Sequence, residues 1–259
     1  MVQKMHATLF VLIPVYNEAG NIPKLIGSLK SLSDELSKKF KVCIFLVDDG
    51  SQDQTAILAR QITGNLDLDI LQHPKNLGPG RAFGTGFKHL SGLITEDDLV
   101  LTMEGDNTSR IELVWQMIHR LEEGFDVILA SPYLYGGQIE NTSAYRIFLS
   151  NMANLFIKEL MGIHGLLTVS SFFRLYKATS LNLLQSHYGN QIVERDGFEC
   201  MVEMIMKMAF LKIRISEIAM VLDTKARVGK SKMKIIKTIR GYLALWFLKK
   251  KWSAMSATV

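Results

Sequence analysis

At 259 residues, 48% hydrophobic and 21% charged, the chain can bury a full core as one large α/β domain or as a domain with an appendage, which excludes disorder. Cys43 and Cys200 are the two cysteines, far apart and outside any C-x-x-C or Cys/His cluster, so they read as reduced core residues and not as metal ligands. The net charge of +5 is unevenly placed: no acidic residue follows Asp223, while ten basic ones run from Lys225 to Lys251, an asymmetry that suits an anionic partner.

The apolar start is too short for a secretory signal, and no run of 18 or more uncharged apolar residues occurs, so the sequence predicts no transmembrane helix and a cytoplasmic protein. A first strand over 9–14 leads to the turn Tyr16-Asn17-Glu18 and a helix over 22–39. The second strand, 42–47, ends in Asp48-Asp49-Gly50-Ser51, after which Asp53 suits the cap of a helix carrying Ala56, Ile57, Ala59 and Ile62. A short strand over 69–72 precedes Asn76-Leu77-Gly78-Pro79-Gly80 and a helix bearing Ala82, Phe83, Phe87 and Leu90. Then come a strand over 99–103, the turn Glu104-Gly105-Asp106, a helix over 112–122 and a strand over 126–131. Strands alternating with helices imply a largely parallel sheet that binds ligands beyond the carboxyl ends of its strands.

Glu18, Asp48 with Asp49, and Glu104 with Asp106 all follow predicted strands, so the acids gather on one rim, where they would repel each other without a cation or a sugar to bind. Glycine between Glu104 and Asp106 lets the backbone turn so that both side chains converge. A divalent cation there would take one or two carboxylates and fill its other positions with substrate phosphates. The glycine loop lacks the Lys and Ser or Thr of a P-loop, so Gly78 and Gly80 read as turn and packing residues. His6, His73, His89, His119, His164 and His187 show no ligand spacing and read as surface or core residues, and Met201, Met204, Met206 and Met208 read as the face of a core helix. Asp196, Glu199 and Glu203 suit either the exposed face of a helix or, for Glu199, the site.

At VLIPVYNEAGNI, VDDGSQDQT, NLGPGRAFGTG and EGDNTS the chain resembles the inverting glycosyltransferases of family 2. SSFFRLY, DGFECMVEM and Arg227-Val228-Gly229-Lys230-Ser231-Lys232 are similar to the dolichol- or polyprenyl-phosphate mannosyltransferase branch. The resemblance implies the GT-A fold, a mostly parallel Rossmann-like sheet flanked by helices, over 1–233; the residues beyond it, 234–259, read on their own spacing as a basic amphipathic helix and tail. It also implies a nucleoside-diphosphate sugar donor, GDP-mannose or a UDP-sugar. Pro14, Tyr16, Glu18, Val47 and Asp49 would then surround the nucleoside, and Arg227 and Lys232 would close over the diphosphate. Glu104 and Asp106 match the D-x-D metal motif for Mg²⁺ or Mn²⁺, with Thr108 as a further metal-side contact, and Asp106 and Glu199 carry the catalytic roles. Arg146, Ser170 and Arg174 fall on the acceptor side. Pro132 replaces an Arg, Leu167 an Asp and Ser171 a Gly of that branch's pattern, which leaves the acceptor open between a polyprenyl phosphate and a glycan hydroxyl, with Glu199 or Asp196 as the base for the latter. A noncatalytic module that binds a nucleotide sugar or a lipid phosphate is the alternative.

In the tail, Ile235, Ile239, Leu243, Trp246 and Phe247 fall on one helical face, and Lys234, Lys237 and Arg240 on another. Such a helix suits the domain, a subunit or an anionic membrane, and the suspected lipid acceptor favours peripheral attachment at the cytoplasmic membrane face. No aromatic and basic interleaving accompanies it, so nucleic acid is not expected as a partner.

Overall fold

The computed structural model describes residues 7–229 and 235–256. Its centre is a seven-stranded sheet in the order β3-β2-β1-β4-β7-β5-β8. These strands are β1 (Ala7–Val15), β2 (Phe40–Asp48), β3 (Asp67–Gln72), β4 (Leu99–Thr102), β5 (Val127–Ser131), β7 (Arg174–Lys177) and β8 (Ile215–Ala219), while β6 (Gln138–Glu140) and β9 (Val221–Asp223) form a separate parallel pair. All neighbours in the large sheet are parallel except β7, which runs against both β4 and β5. The predicted GT-A-like α/β architecture is the one observed.

Alternation along β1 explains the two layers. Leu9, Val11, Ile13 and Val15 point to a core shared with α1 (Ile22–Leu36), α2 (Thr55–Ile62) and α4 (Val114–Glu122), whereas Phe10 and Leu12 point to the opposite one. That second core takes α3 (Pro79–Leu90), α5 (Ala144–Met161), α6 (Ala178–Tyr188), α7 (Cys200–Phe210) and α8 (Ile235–Ser256). α1 stops at Leu36, short of the expected 39, where the Ser37 hydroxyl donates to the Asp34 carbonyl at 2.7 Å. Asp53 accepts the amide of Thr55, the first residue of α2, at 3.0 Å.

α8 packs into the core of the preceding elements. Leu245 and Trp252 of α8 are fully buried in the same core as α3 and α7. The Trp252 indole donates to Glu194 at 2.6 Å, and Glu194 also meets Lys251 at 2.6 Å. Behind them Lys207, with no exposed surface, is paired with Glu203 at 2.5 Å and lies under the rings of Tyr188 and Trp252. Glu203 in turn accepts the amides of Glu194 and Arg195. The exposed-face reading of Glu203 is therefore corrected: the acid is buried because a cation and two amides satisfy it there. Burial is also the main force that raises its pKa.

Both cysteines are buried thiols. Burial first, then the Asp67 carboxylate beside it, pushes Cys43 up to about 11, and burial followed by the charge of Glu203 raises Cys200 well above the usual thiol range. A thiol whose pKa lies that far above ambient pH is almost wholly protonated, and the thiolate is the reactive species. At pH 8 an aromatic disulfide reagent should therefore react with neither cysteine in the native protein and with both in urea; fast native reaction would contradict the burial.

Candidate functional site

The sheet order sets the site. β1 lies between two parallel partners, β2 on one side and β4 on the other, with Val15 opposite Asp48 and Leu12 opposite Thr102. The chain winds outward in opposite directions from β1, and such a switch point opens a crevice at the carboxyl ends of the strands. The turns after β1, β2 and β4 enter this crevice side by side. Because β7 is antiparallel, the segment just before it begins at the same rim, and the Phe172 amide donates to Glu104 at 3.2 Å.

In the acidic turn, Gly105 is required by space. A Cβ there would come within 2.5 Å of the Val15 side chain, and the left-handed residue is Asn107, with φ 66°, so the turn is made two positions after the expected one. The Ser109 hydroxyl donates to Glu104 Oε2, and Phe172 N to its other oxygen. Burial, and after it the charge of Asp106, raises the Glu104 pKa. Asp106 Oδ1 accepts the Thr108 amide at 3.1 Å and the Thr108 hydroxyl at 2.5 Å, while Oδ2 lies 3.3 Å from Arg227 Nη1. Thr108 thus supports Asp106. Among the described residues no group of three or more His, Cys, Asp or Glu is placed to hold a metal. Thr108 takes both lone pairs of Asp106 Oδ1, while Asp106 Oδ2 and the two Glu104 oxygens each face one donor and keep a lone pair, which fits a hard cation whose remaining positions are filled by phosphate oxygens and water.

On the donor side, Pro14 and Tyr16 are half-buried at the end of β1, and Glu18, 9% exposed, accepts the Asn21 amide at 2.5 Å. Val47 needs correction: its side chain has no exposed surface and belongs to the core, so it cannot face a nucleoside. Asp49 acts on the rim from beneath. It accepts the amides of Leu77 and Gly78 at 2.9 and 2.8 Å and faces His73 Nδ1 at 2.7 Å, with His73 Nε2 2.9 Å from the Thr85 hydroxyl. It thereby holds the glycine loop. Gly78, φ 103°, and Gly80 press against the carbonyls of Asp196 and Arg195, where any Cβ would collide.

The acceptor-side residues separate. Arg146, in the first turn of α5, and Ser170 are exposed. Arg174 is fully buried, and its guanidinium donates to the carbonyls of Ser171, Met201 and Val169 at 2.7, 3.1 and 3.0 Å. It cannot meet an acceptor, which corrects the expectation for it: the S-x-F-R pattern supplies an internal brace between β7 and α7. Leu167 occupies a turn whose amides, its own and that of Thr168, donate to Glu217 at 2.6 and 2.7 Å. Glu199 is 4% exposed; Oε1 lies 3.4 Å from Arg195, and Oε2 finds no hydrogen-bond partner among the described residues. Its carboxylate is enclosed between Gly197 and Gly241 of α8, a packing position that does not suit the catalytic role expected of it. Lys232 lies outside the described residues. Asn21 and His73 were not singled out by the sequence, since neither has a spacing that marks a site; Asn21 does fall inside the first motif.

Replacing Arg174 by Ala removes three charge-assisted hydrogen bonds and should cost about 3–5 kcal/mol in urea unfolding, without a selective loss of ligand affinity. A stable variant impaired only in acceptor use would restore Arg174 to the acceptor side.

The profile described as Glycosyl transferase family 2 matches residues 10–184. A dolichol-phosphate mannosyltransferase of Pyrococcus furiosus is 28% identical over 246 residues, 93% of this chain and 63% of that protein. An undecaprenyl-phosphate 4-deoxy-4-formamido-L-arabinose transferase of Salmonella choleraesuis is 32% identical over 154 residues, 59% of this chain and 43% of its own length. A polyprenol monophosphomannose synthase of Mycolicibacterium smegmatis is 28% identical over 169 residues, 64% of this chain and 60% of its own. The chain thus spans less than two thirds of the length of each of these relatives. Among solved structures, glucosyl-3-phosphoglycerate synthase from Mycobacterium tuberculosis, in complex with Mn²⁺, UDP and phosphoglyceric acid, aligns with a TM-score of 0.61 at 16% identity, over 93% of this chain and 78% of that one. At that identity the likeness is one of fold. With the profile covering well over half of the chain and the acidic turns set on one rim, the protein belongs to glycosyl transferase family 2.

Proposed function

We propose that this chain transfers a sugar, with inversion, from a nucleoside-diphosphate donor to a polyprenyl phosphate. The observation that carries the reading is the pairing of Arg227 with Asp106 at the switch point, which puts a guanidinium and a carboxylate turn on one spot in the crevice. The kinship with transferases named for polyprenyl and dolichol phosphates supports the acceptor class.

In this reading Asp106, and behind it Glu104, would hold Mg²⁺ or Mn²⁺. A cation held there supplies positive charge against the departing diphosphate. Arg227 offers its planar fork to phosphate oxygens on the same side, and Lys232 adds a second cation. Glu18, Tyr16 and Pro14 border the nucleoside, and Asp49 shapes that border through the amides of Leu77 and Gly78. An acceptor monophosphate, with a second pKa of about 6, is largely ionised at neutral pH and attacks without a strong base. Glu199 is therefore left out of the chemistry. Arg146 and Ser170 are the exposed candidates to receive the acceptor phosphate.

A lipid acceptor calls for a surface that meets a bilayer, and the helices provide one. Tyr145, Phe148, Met152, Leu155 and Phe156 form an exposed apolar stripe along α5, and Leu243, Trp246 and Phe247 are exposed on α8, which packs against it. Arg240 and Lys250 are exposed on α8 as well. No helix among the described residues is long and apolar enough to cross a membrane, so the attachment proposed is peripheral. We place it at the cytoplasmic leaflet, whose anionic lipids suit the basic tail.

The deciding experiment incubates the full chain with radiolabelled GDP-mannose or UDP-sugars, polyprenyl phosphate in vesicles and Mg²⁺ or Mn²⁺, and follows label into the organic phase. Asp106→Ala should lower transfer about 100-fold or more, and EDTA should stop it until the cation is returned. Undiminished transfer in that variant would sink the assignment, and nucleotide binding without transfer to any acceptor would favour a binding module. In flotation with anionic vesicles, Phe148→Glu combined with Phe247→Glu should lower recovery at least tenfold, since burying each ring contributes about 1.5–3 kcal/mol. Equal recovery would remove the membrane face.

A further inference from the structure

Asn21 is the last residue before α1, a position where an Asn side chain ordinarily accepts an amide of its own helix. Here it makes no such bond. Its amide is 2% exposed and faces a residue 207 positions away: Oδ1 accepts Val228 N at 2.8 Å, and Nδ2 donates to Val228 O at 3.2 Å. Both backbone groups of one loop residue are thus held by one side chain, as a neighbouring strand would hold them. Val228 itself is 65% exposed, so no apolar burial fixes it. Gly20 lets the loop come close, because a Cβ there would stand 3.1 Å from Val228 Cγ1. The same Asn21 donates to Glu18 at 2.5 Å, and its carbonyl accepts the Asn107 amide at 3.1 Å, inside the acidic turn. The residue next to the held one is Arg227, 3.3 Å from Asp106.

We propose that Asn21 is a positioning residue: by clamping the backbone of Val228 it sets the Arg227 guanidinium on the phosphate side of the crevice and ties that loop to the nucleoside turn and the acidic turn. The proposal rests on the reading that Arg227 meets a donor diphosphate, although the clamp itself can be tested without any ligand. A guanidinium held in place loses less side-chain freedom on meeting phosphate, so removing the clamp should weaken diphosphate binding beyond any loss in nucleoside binding that follows from Glu18 losing the Asn21 donor.

UDP and GDP, and uridine and guanosine, are titrated into the full chain with Mn²⁺. For whichever base binds, Asn21→Ala should weaken the nucleoside diphosphate about tenfold more than the nucleoside, and that extra loss should vanish once Arg227→Ala is present. Equal losses for nucleoside and diphosphate, or additive effects of the two substitutions, would overturn the proposal. Val228→Pro, which removes the N–H that Asn21 accepts at an exposed loop position, should reproduce the selective loss and decides the matter if Asn21→Ala does not fold. Trypsin cleavage after Arg227, measured without nucleotide, should be at least fivefold faster in Asn21→Ala; an unchanged rate refutes the clamp. Failure of the wild type to bind either nucleoside diphosphate would instead count against the proposed function, with the cleavage rate still deciding on the clamp.

Discussion

Like charges gathered at the ends of parallel strands are the constraint around which the chain is built. Pairing β1 with β2 and β4 brings the turns bearing Glu18, Asp49 and Asp106 to one rim, and each acid is held by donors the chain provides. Asn21 serves Glu18, the amides of Leu77 and Gly78 serve Asp49, and Thr108 and Arg227 serve Asp106. The rim is organised by the chain's own donors, which is what the proposed diphosphate site requires: fixed dipoles and charges that need not rearrange as charge develops.

A second polar assembly, on the far side of the sheet, supports the first. Glu203 and Lys207 are buried and satisfied, and they connect Trp252 of α8 to the amides of Glu194 and Arg195. The segment after them lies on the glycine loop, with Gly80 N donating to Asp196 O at 2.8 Å. Hydrogen bonds joined by short stretches of backbone therefore lead from the last helix to Asp49. Removing one member of such a buried pair leaves an uncompensated charge in an apolar core, so the network demands that its members be present together.

Much of this was legible in the sequence where periodicity and turns speak for themselves. The first strand, the acids after β1, β2 and β4, and the order of strands and helices up to β5 all predicted the sheet and the rim. Four-residue β7 carries no such signature, and its direction follows from contacts distant in sequence, so the brace made by Arg174 looked like an acceptor ligand. Burial reversed other readings. A Glu and a Lys four apart look like a solvated helix face, yet Glu203 and Lys207 lie in the core because their partners arrive from elsewhere in the chain. Val47 is the converse, a motif residue whose neighbours on both strands leave it no surface. Asn21 has no spacing that marks a site, and only the return of the chain at Val228 gives it a task.

Gly241 shows how little material can fix a direction. A Cβ there would stand 2.4 Å from Glu199 Cδ, so α8 can lie against α7 only with this bare position turned down. A turn of one residue, about 100° around the axis, would drive a side chain into the carboxylate. The helix therefore packs here with its one bare position toward the carboxylate, like a key with one blank edge. With Leu245 and Trp252 buried on the same side, that bare position leaves Leu243, Trp246 and Phe247 facing outward, so one absent methyl group helps set the attitude of the helix toward whatever those residues rest on.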